Sequence, residues 1–262
     1  MSWNPDQYDK FKYERTAPVL DVLSMLRIRP NVEVIDLGCG TGEHTKRLAD
    51  LLPGSNVLGI DNSPEMLAQS MQYERHGLTY GLASIEEIEG DYDVIFSNAA
   101  LHWCENHEQL FKKLWEHLLP GGQFLVQMPY NNDHYTHQLA YQLATVEFAE
   151  YFPQNDNNPT NRLGWMLPPE KYAEILYSLG GVELNVMVKV YPHVLENSDA
   201  MVEWTKGTLL VPYLSQLSPE IGTQFLDTYR ELLRIRYPEC PVFYGFKRVL
   251  LSAVKGRKHQ KI

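Results

Sequence analysis

VIDLGCGTGEHT, residues 34–45, joins a hydrophobic run to a loop with glycine at every second position. The run VEVIDL (32–37) reads as a buried strand, and Asp36 stands at its end. Gly38, Gly40 and Gly42 then let the chain turn tightly and let a ligand approach bare backbone. A helix opening near Gly42 aims its unpaired N–H groups at the same place, as in phosphate-binding loops. The spacing is wrong for a dinucleotide. G-x-G-x-x-G would need a third glycine at position 43, where Glu43 stands. An acid beside such a loop repels phosphate and suits a ligand that carries an ammonium group.

Reading outward, the first half alternates strands and helices. NVLGID (56–61), LTYGLA (78–83), YDVIFSN (92–98) and QFLVQM (123–128) read as further strands. Thr45, Leu48, Leu51 and Leu52 predict one face of a helix that Pro53-Gly54 ends. Ser63-Pro64 predicts the capped start of the next. Leu110, Phe111, Leu114, Trp115 and Leu118 mark a helix over 107–119, stopped by Pro120-Gly121-Gly122. Such alternation predicts an α/β fold, a mostly parallel Rossmann-like sheet covered on both faces, with ligands beyond the strands' carboxyl ends. After Met128 the pattern changes. Residues 131–152 look helical, 153–169 form a breaker-rich loop, and helices are expected at 169–179, 198–208 and 218–236. Strands VELNVMVKVY (182–191) and VFYGFKRVLLSAV (242–254) complete the sheet. The expectation is one domain over 1–262: a helical lid (1–30), a cofactor core (31–130), sheet completion with cap helices (131–241), and a final strand with a basic tail (242–262).

Asp61 ends the second strand about twenty residues past the loop, where a carboxylate accepts ribose hydroxyls. A nucleoside without pyrophosphate, with positive charge near Asp36, is S-adenosylmethionine. Net charge of −10 argues against nucleic acid as a partner. No apolar run approaches a membrane span, and the first residues lack a signal-peptide core, so a cytoplasmic protein is expected. The three cysteines lie far apart without metal spacing, no metal is expected, and Cys39 reads as a small filler in the loop.

WNPDQYDKFKYER, IDLGCGTGEHT, GIDNSPEML, DVIFSNAALHW, LPGGQFLVQMP, FLDTYRELLRIRYP and YGFKRVLL together resemble class I S-adenosylmethionine-dependent methyltransferases, and within them the trans-aconitate 2-methyltransferase family. The resemblance implies seven strands with the last antiparallel, a monomer or loose homo-oligomer, and methyl transfer to a small molecule. By position it implies Asp36, Gly38, Cys39, Gly40 and Gly42 at the methionine part, and Asp61 with Asn62 at the ribose. It places Ser84 and Ile85 beside the adenine, and Asn98 and Ala99 near the sulfonium. Where the family carries an arginine before a proline, this chain has Val211 before Pro212.

A carboxylate acceptor is ionised at neutral pH and needs no general base, only desolvation and a few cations or donors. The candidates are Arg15, Lys206 and Arg248, with Trp3, Tyr8, Trp103, Tyr130 and Trp204 as further substrate contacts and Trp3, Tyr8 and Phe11 as a lid. A nitrogen, carbon or hydroxyl acceptor would need a base, and His102, past the fourth strand, is the candidate. An NAD-dependent oxidoreductase and a silent cofactor-binding module are the alternatives outside this class.

Overall fold

In the computed structural model, which describes residues 12–155 and 158–257, seven strands form one sheet in the order β3-β2-β1-β4-β5-β7-β6. They are β1 (Glu33–Leu37), β2 (Asn56–Asp61), β3 (Leu78–Leu82), β4 (Tyr92–Asn98), β5 (Leu118–Pro129), β6 (Gly181–Leu195) and β7 (Val242–Lys255). Only β7 runs against its neighbours, so the last strand is antiparallel as expected. β1 lies between β2 and β4, both parallel to it, and is buried along Val34–Leu37. Burial on both faces is why this strand is a continuous apolar run rather than an alternating one. Strand order reverses between β1 and β4, so the crevice of a doubly wound sheet opens where these two strands end.

The helices are α1 (Lys12–Ser24), α2 (Glu43–Leu51), α3 (Pro64–Ser70), α4 (His107–Glu116), α5 (Tyr135–Gln142), α6 (Pro169–Ser178), α7 (Ser198–Lys206), α8 (Val211–Leu214) and α9 (Pro219–Arg236). Ser63 caps α3 by accepting from the Met66 N–H, with Pro64 in the first turn, as read from the sequence. Two boundaries differ. α4 stops at Glu116, and β5 already starts at Leu118 because Leu118 pairs with Tyr92 across a bulge. The helix expected over 131–152 holds only to Gln142. A π-turn follows over Leu143–Glu147, where the Phe148 N–H reaches the Leu143 carbonyl at 2.8 Å, and Thr145 bonds back to Tyr141 O.

Two apolar clusters cover the faces of the sheet, and a third lies in the cap. There Leu139, Leu143, Trp204, Tyr213, Phe225 and Tyr229 pack against Tyr244 and Phe246. β7 outruns β5: its pairing with β5 ends at Arg248, while its pairing with β6 continues to Val242. This overhang gives the cap a strand platform beside the crevice. No helix among the described residues is long and apolar enough to cross a membrane.

Candidate functional site

Two cavities meet at the crevice. The first is a trough of about 640 Å³ along the glycine loop and the ends of β1 and β2. The second is a chamber of about 150 Å³ between the ends of β4, β5 and β7 and the cap. Asn98, Ala99, Trp103 and Arg162 line both.

The trough is built by backbone. Gly38 has φ +74°, and a Cβ there would fall 2.2 Å from the Ala100 Cβ, so only glycine fits. Gly42, at φ +79°, opens α2, and a Cβ there would strike Ser70 and Tyr80. The Gly38 and Cys39 N–H groups donate to Ile60 O, tying the loop to β2. Cys39 is buried, and burial pushes its thiol far above the usual range, which leaves it a filler. Asp61 accepts from Gly40 N–H and Ser63 N–H, each at 2.9 Å, so both oxygens are fixed with lone pairs to spare. Asp36 is 2% exposed and accepts from Thr45 Oγ1 at 2.6 Å. Burial, reinforced by nearby Asp61, raises its carboxyl to about 7 against the opposing Thr45 bond. Asp36, Glu43, Asp61, Glu65 and Glu86 make the trough acidic, with Arg162 its one arginine or lysine among the described residues.

The chamber has the opposite character. Arg162 and Arg248 line it, and no Asp or Glu among the described residues does. Arg248 is 7% exposed, with its guanidinium 4.5 Å from the Phe246 ring centroid. Arg162 lies between Trp103 and Trp165, 5.2 and 4.8 Å from their ring centroids. Gln127 Nε2 and Asn131 Nδ2 are buried with no hydrogen-bond partner among the described residues. Unused donors are costly to bury unless an acceptor arrives. His102 also lines the chamber. Burial, then the positive Arg248, holds its imidazole well below the usual range, so it is neutral near pH 7. Burial also lowers His137, which lines the same chamber, to about 3. Ala99, at the junction, is held at φ +53°, with its N–H bonded to Gln127 O at 2.8 Å.

Of the expected cofactor residues, Asp36, Gly38, Cys39, Gly40, Asp61, Asn62, Ile85, Asn98 and Ala99 line the trough. Gly42 shapes it from behind. Ser84 does not line it. Its hydroxyl caps the turn Ile85–Glu87 and bonds to Glu86, which does face the trough. Trp103, Trp204, Arg248 and His102 line the chamber. Lys206 does not: the helical turn that points Trp204 and Thr205 inward leaves Lys206 exposed. Tyr130 is also turned away. Pro129 and Asn131 face the chamber while Tyr130 packs on the core beside Met166 and Leu167. Trp3, Tyr8 and the Arg15 side chain lie outside the described residues. No cluster of His, Cys, Asp or Glu among the described residues could hold a metal. The sequence reading missed Arg162, Gln127 and Asn131. Arg162 had one signal, a cation three residues from Met-flanked Trp165 in an otherwise uncharged segment, 158–169.

A family model described as a methyltransferase domain matches residues 35–126. A trans-aconitate 2-methyltransferase of Deinococcus radiodurans is 43% identical over 255 residues, covering 97% of this chain and 99% of that one. The chain belongs to the trans-aconitate 2-methyltransferase family. The enzyme of that name from Klebsiella pneumoniae is 36% identical, over 97% and 98% of the two chains. Solved structures share the fold at lower identity. The YcgJ protein of Bacillus subtilis has a TM-score of 0.62 at 12% identity, covering 92% of this chain and 99% of that one. A Haemonchus contortus phosphoethanolamine N-methyltransferase in complex with S-adenosyl-L-methionine has a TM-score of 0.55 at 18%, over 92% and 53%. The chain is thus an S-adenosylmethionine-dependent methyltransferase, and the oxidoreductase and silent-module alternatives fall. The trough suits that cofactor. It offers buried and strand-end carboxylates to a cationic nucleoside and places Asn98 Oδ1, without a hydrogen-bond partner among the described residues, at its junction with the chamber.

Proposed function

We propose that the chain methylates a carboxylate oxygen of a small organic acid. The observation that carries this reading is the chamber's charge: two arginines and no acid among the described residues, in a protein of net charge −10. Asp36 and Asp61 would hold the amino acid and ribose ends of the cofactor in the trough, with Ile85 along the adenine. Asn98 and Ala99 would face the sulfonium, at the wall shared with the chamber. S-adenosylmethionine, when bound, supplies an electrophilic methyl group on a sulfonium. Arg162 and Arg248 would hold the acceptor's carboxylates, with Gln127 and Asn131 donating to them. One carboxylate oxygen forms the new bond to the methyl carbon, and the carbon–sulfur bond breaks with its electron pair left on sulfur.

No proton moves, so the depressed basicity of His102 is no obstacle; it would donate or accept a hydrogen bond at the acceptor. Nitrogen, carbon or hydroxyl acceptors would ask this same imidazole to take a proton from a position between two cations, which its environment opposes. The relatives named above act, by name, on trans-aconitate, which makes it the first acid to try. Val211 does not face the chamber, and Arg162 and Arg248 supply the cations in place of an arginine at 211. A chamber of this size would take a small molecule rather than a macromolecule. The test is incubation with methyl-labelled cofactor and a panel of mono-, di- and tricarboxylates. A base-labile methyl ester from at least one acid is expected; no ester from any of them refutes the reading.

A further inference from the structure

His107 is the first residue of α4 and 1% exposed; Tyr172, in α6, is fully buried. Neither lines the trough or the chamber, yet their polar atoms form one directed chain. His107 Nε2 lies 3.0 Å from Leu101 O. A carbonyl only accepts, so Nε2 carries the hydrogen. Nδ1, 2.5 Å from the Tyr172 oxygen, is then the acceptor of a neutral imidazole, and the tyrosine hydroxyl donates to it. The Leu167 N–H donates at 3.2 Å into the same tyrosine oxygen. The hydroxyl has one hydrogen, and the short bond to His107 claims it over Met166 Sδ at 3.7 Å.

The two ends of this chain lie in the two segments that carry Trp103 and Arg162, both of which line trough and chamber. Leu101 opens the turn Leu101–Trp103, which carries His102 and Trp103. Leu167 closes the segment that follows the turn Pro159–Gly164, which carries Arg162. Across the cavities these segments touch through the Arg162 guanidinium over Trp103.

We propose that His107 and Tyr172 are positioning residues that fix the spacing of the Trp103 turn and the Arg162 segment, and so the place where acceptor meets methyl group. This rests on the reading of the chamber as the acceptor site. A buried relay with every donor and acceptor matched permits one geometry, and in-line transfer loses rate steeply when reacting atoms shift by an ångström.

Tyr172→Phe keeps the ring, which stacks on Phe111 at 5.2 Å, and removes only the hydroxyl. Affinity for S-adenosylhomocysteine should stay within about twofold, while kcat for the acid falls roughly 10- to 100-fold. His107→Gln keeps a donor for Leu101 O but has no acceptor atom at the Nδ1 position that Tyr172 bonds. It should show the same split, and the double variant should be no worse than either single one. Wild-type kcat and KM in both single variants, or losses that multiply in the double variant, overturn the proposal. Two measurements do not depend on the acceptor. Nitrogen NMR of the wild type should show His107 neutral with hydrogen on Nε2; hydrogen on Nδ1 overturns the relay. A crystal structure of Tyr172→Phe should show Arg162 displaced from Trp103; an unchanged 5.2 Å contact overturns it. If the wild type esterifies no acid, the acceptor reading fails while these two results still decide the relay.

Discussion

Asp36 gives the sharpest quantitative prediction. Its carboxyl is raised to about 7, chiefly by burial. A folded value above the ordinary one near 3.8 means that the free protein holds a proton on Asp36 that the unfolded chain would release. The stability gained from that proton is present at low pH and is lost as pH rises through about 7. A cation seated in the trough reverses the preference, because the ionised carboxylate then gains a partner. Cofactor binding should therefore expel the proton. Affinity should be level above about pH 8 and fall about tenfold from there to about pH 6, where the free site is mostly protonated. Calorimetric titration with S-adenosylhomocysteine, which keeps the ammonium group, measures this in buffers of different ionisation enthalpy. About one proton should be released per ligand at about pH 6 and almost none at about pH 8. Asp36→Asn should bind weakly with no slope from this group. His44 lines the same trough, so a His44→Gln control separates its proton from that of Asp36. Wild-type binding that does not weaken toward acid, or a slope that survives Asp36→Asn, would refute the reasoning.

Three further outcomes follow from the same geometry. Arg162→Gln and Arg248→Gln should each raise KM for the acid by about 10- to 100-fold, with a smaller change in kcat in steady-state assays; a cation holds the full carboxylate charge of the ground state better than the partial charge of the transition state. His102→Gln should cost less than about tenfold in kcat, whereas loss of a general base costs about 100-fold or more, and the difference is read from initial rates across pH. Gly38→Ala should destabilise the protein by about 2 kcal/mol or more in denaturant titrations and abolish cofactor binding, because the added methyl overlaps Ala100 at a left-handed φ.

The glycine loop and the sheet were legible because both are written locally. A strand buried on two faces is an apolar run, and a loop with no room for a Cβ is glycine. Asp61 was found by counting residues from that loop. The chamber was not legible, because its residues come from segments far apart in sequence and are chosen by side-chain direction. Lys206 and Tyr130 belong to the right segments, but helical and strand geometry turns them away. Arg162 sits in a breaker-rich stretch with no periodicity to assign it a face, and only folding brings it over Trp103. His107 stands at the start of the helix expected over 107–119. Its partner is 65 positions away, and nothing local announces it.

The opposed charges of the two cavities bear on the rate as well as on recognition. In water, a sulfonium and a carboxylate are each well solvated, and both charges must fade as the methyl moves. Solvation thus favours the reactants. A trough of carboxylates and a chamber of guanidinium groups replace water with fixed partners, which holds both ions without reorientation as the charges fade. On the proposed reading the arrangement has a built-in tension at Arg162, which lines both cavities: its positive charge would attract the acceptor and repel the cofactor. Its flanking tryptophans ease that tension, since their faces stabilise the guanidinium in a half-buried place where water is scarce. In the proposed reaction the reacting carboxylate and the sulfur would both be neutral after transfer. The ester can still accept a hydrogen bond from Arg162, but the pair of opposite charges that would draw the two molecules together is gone.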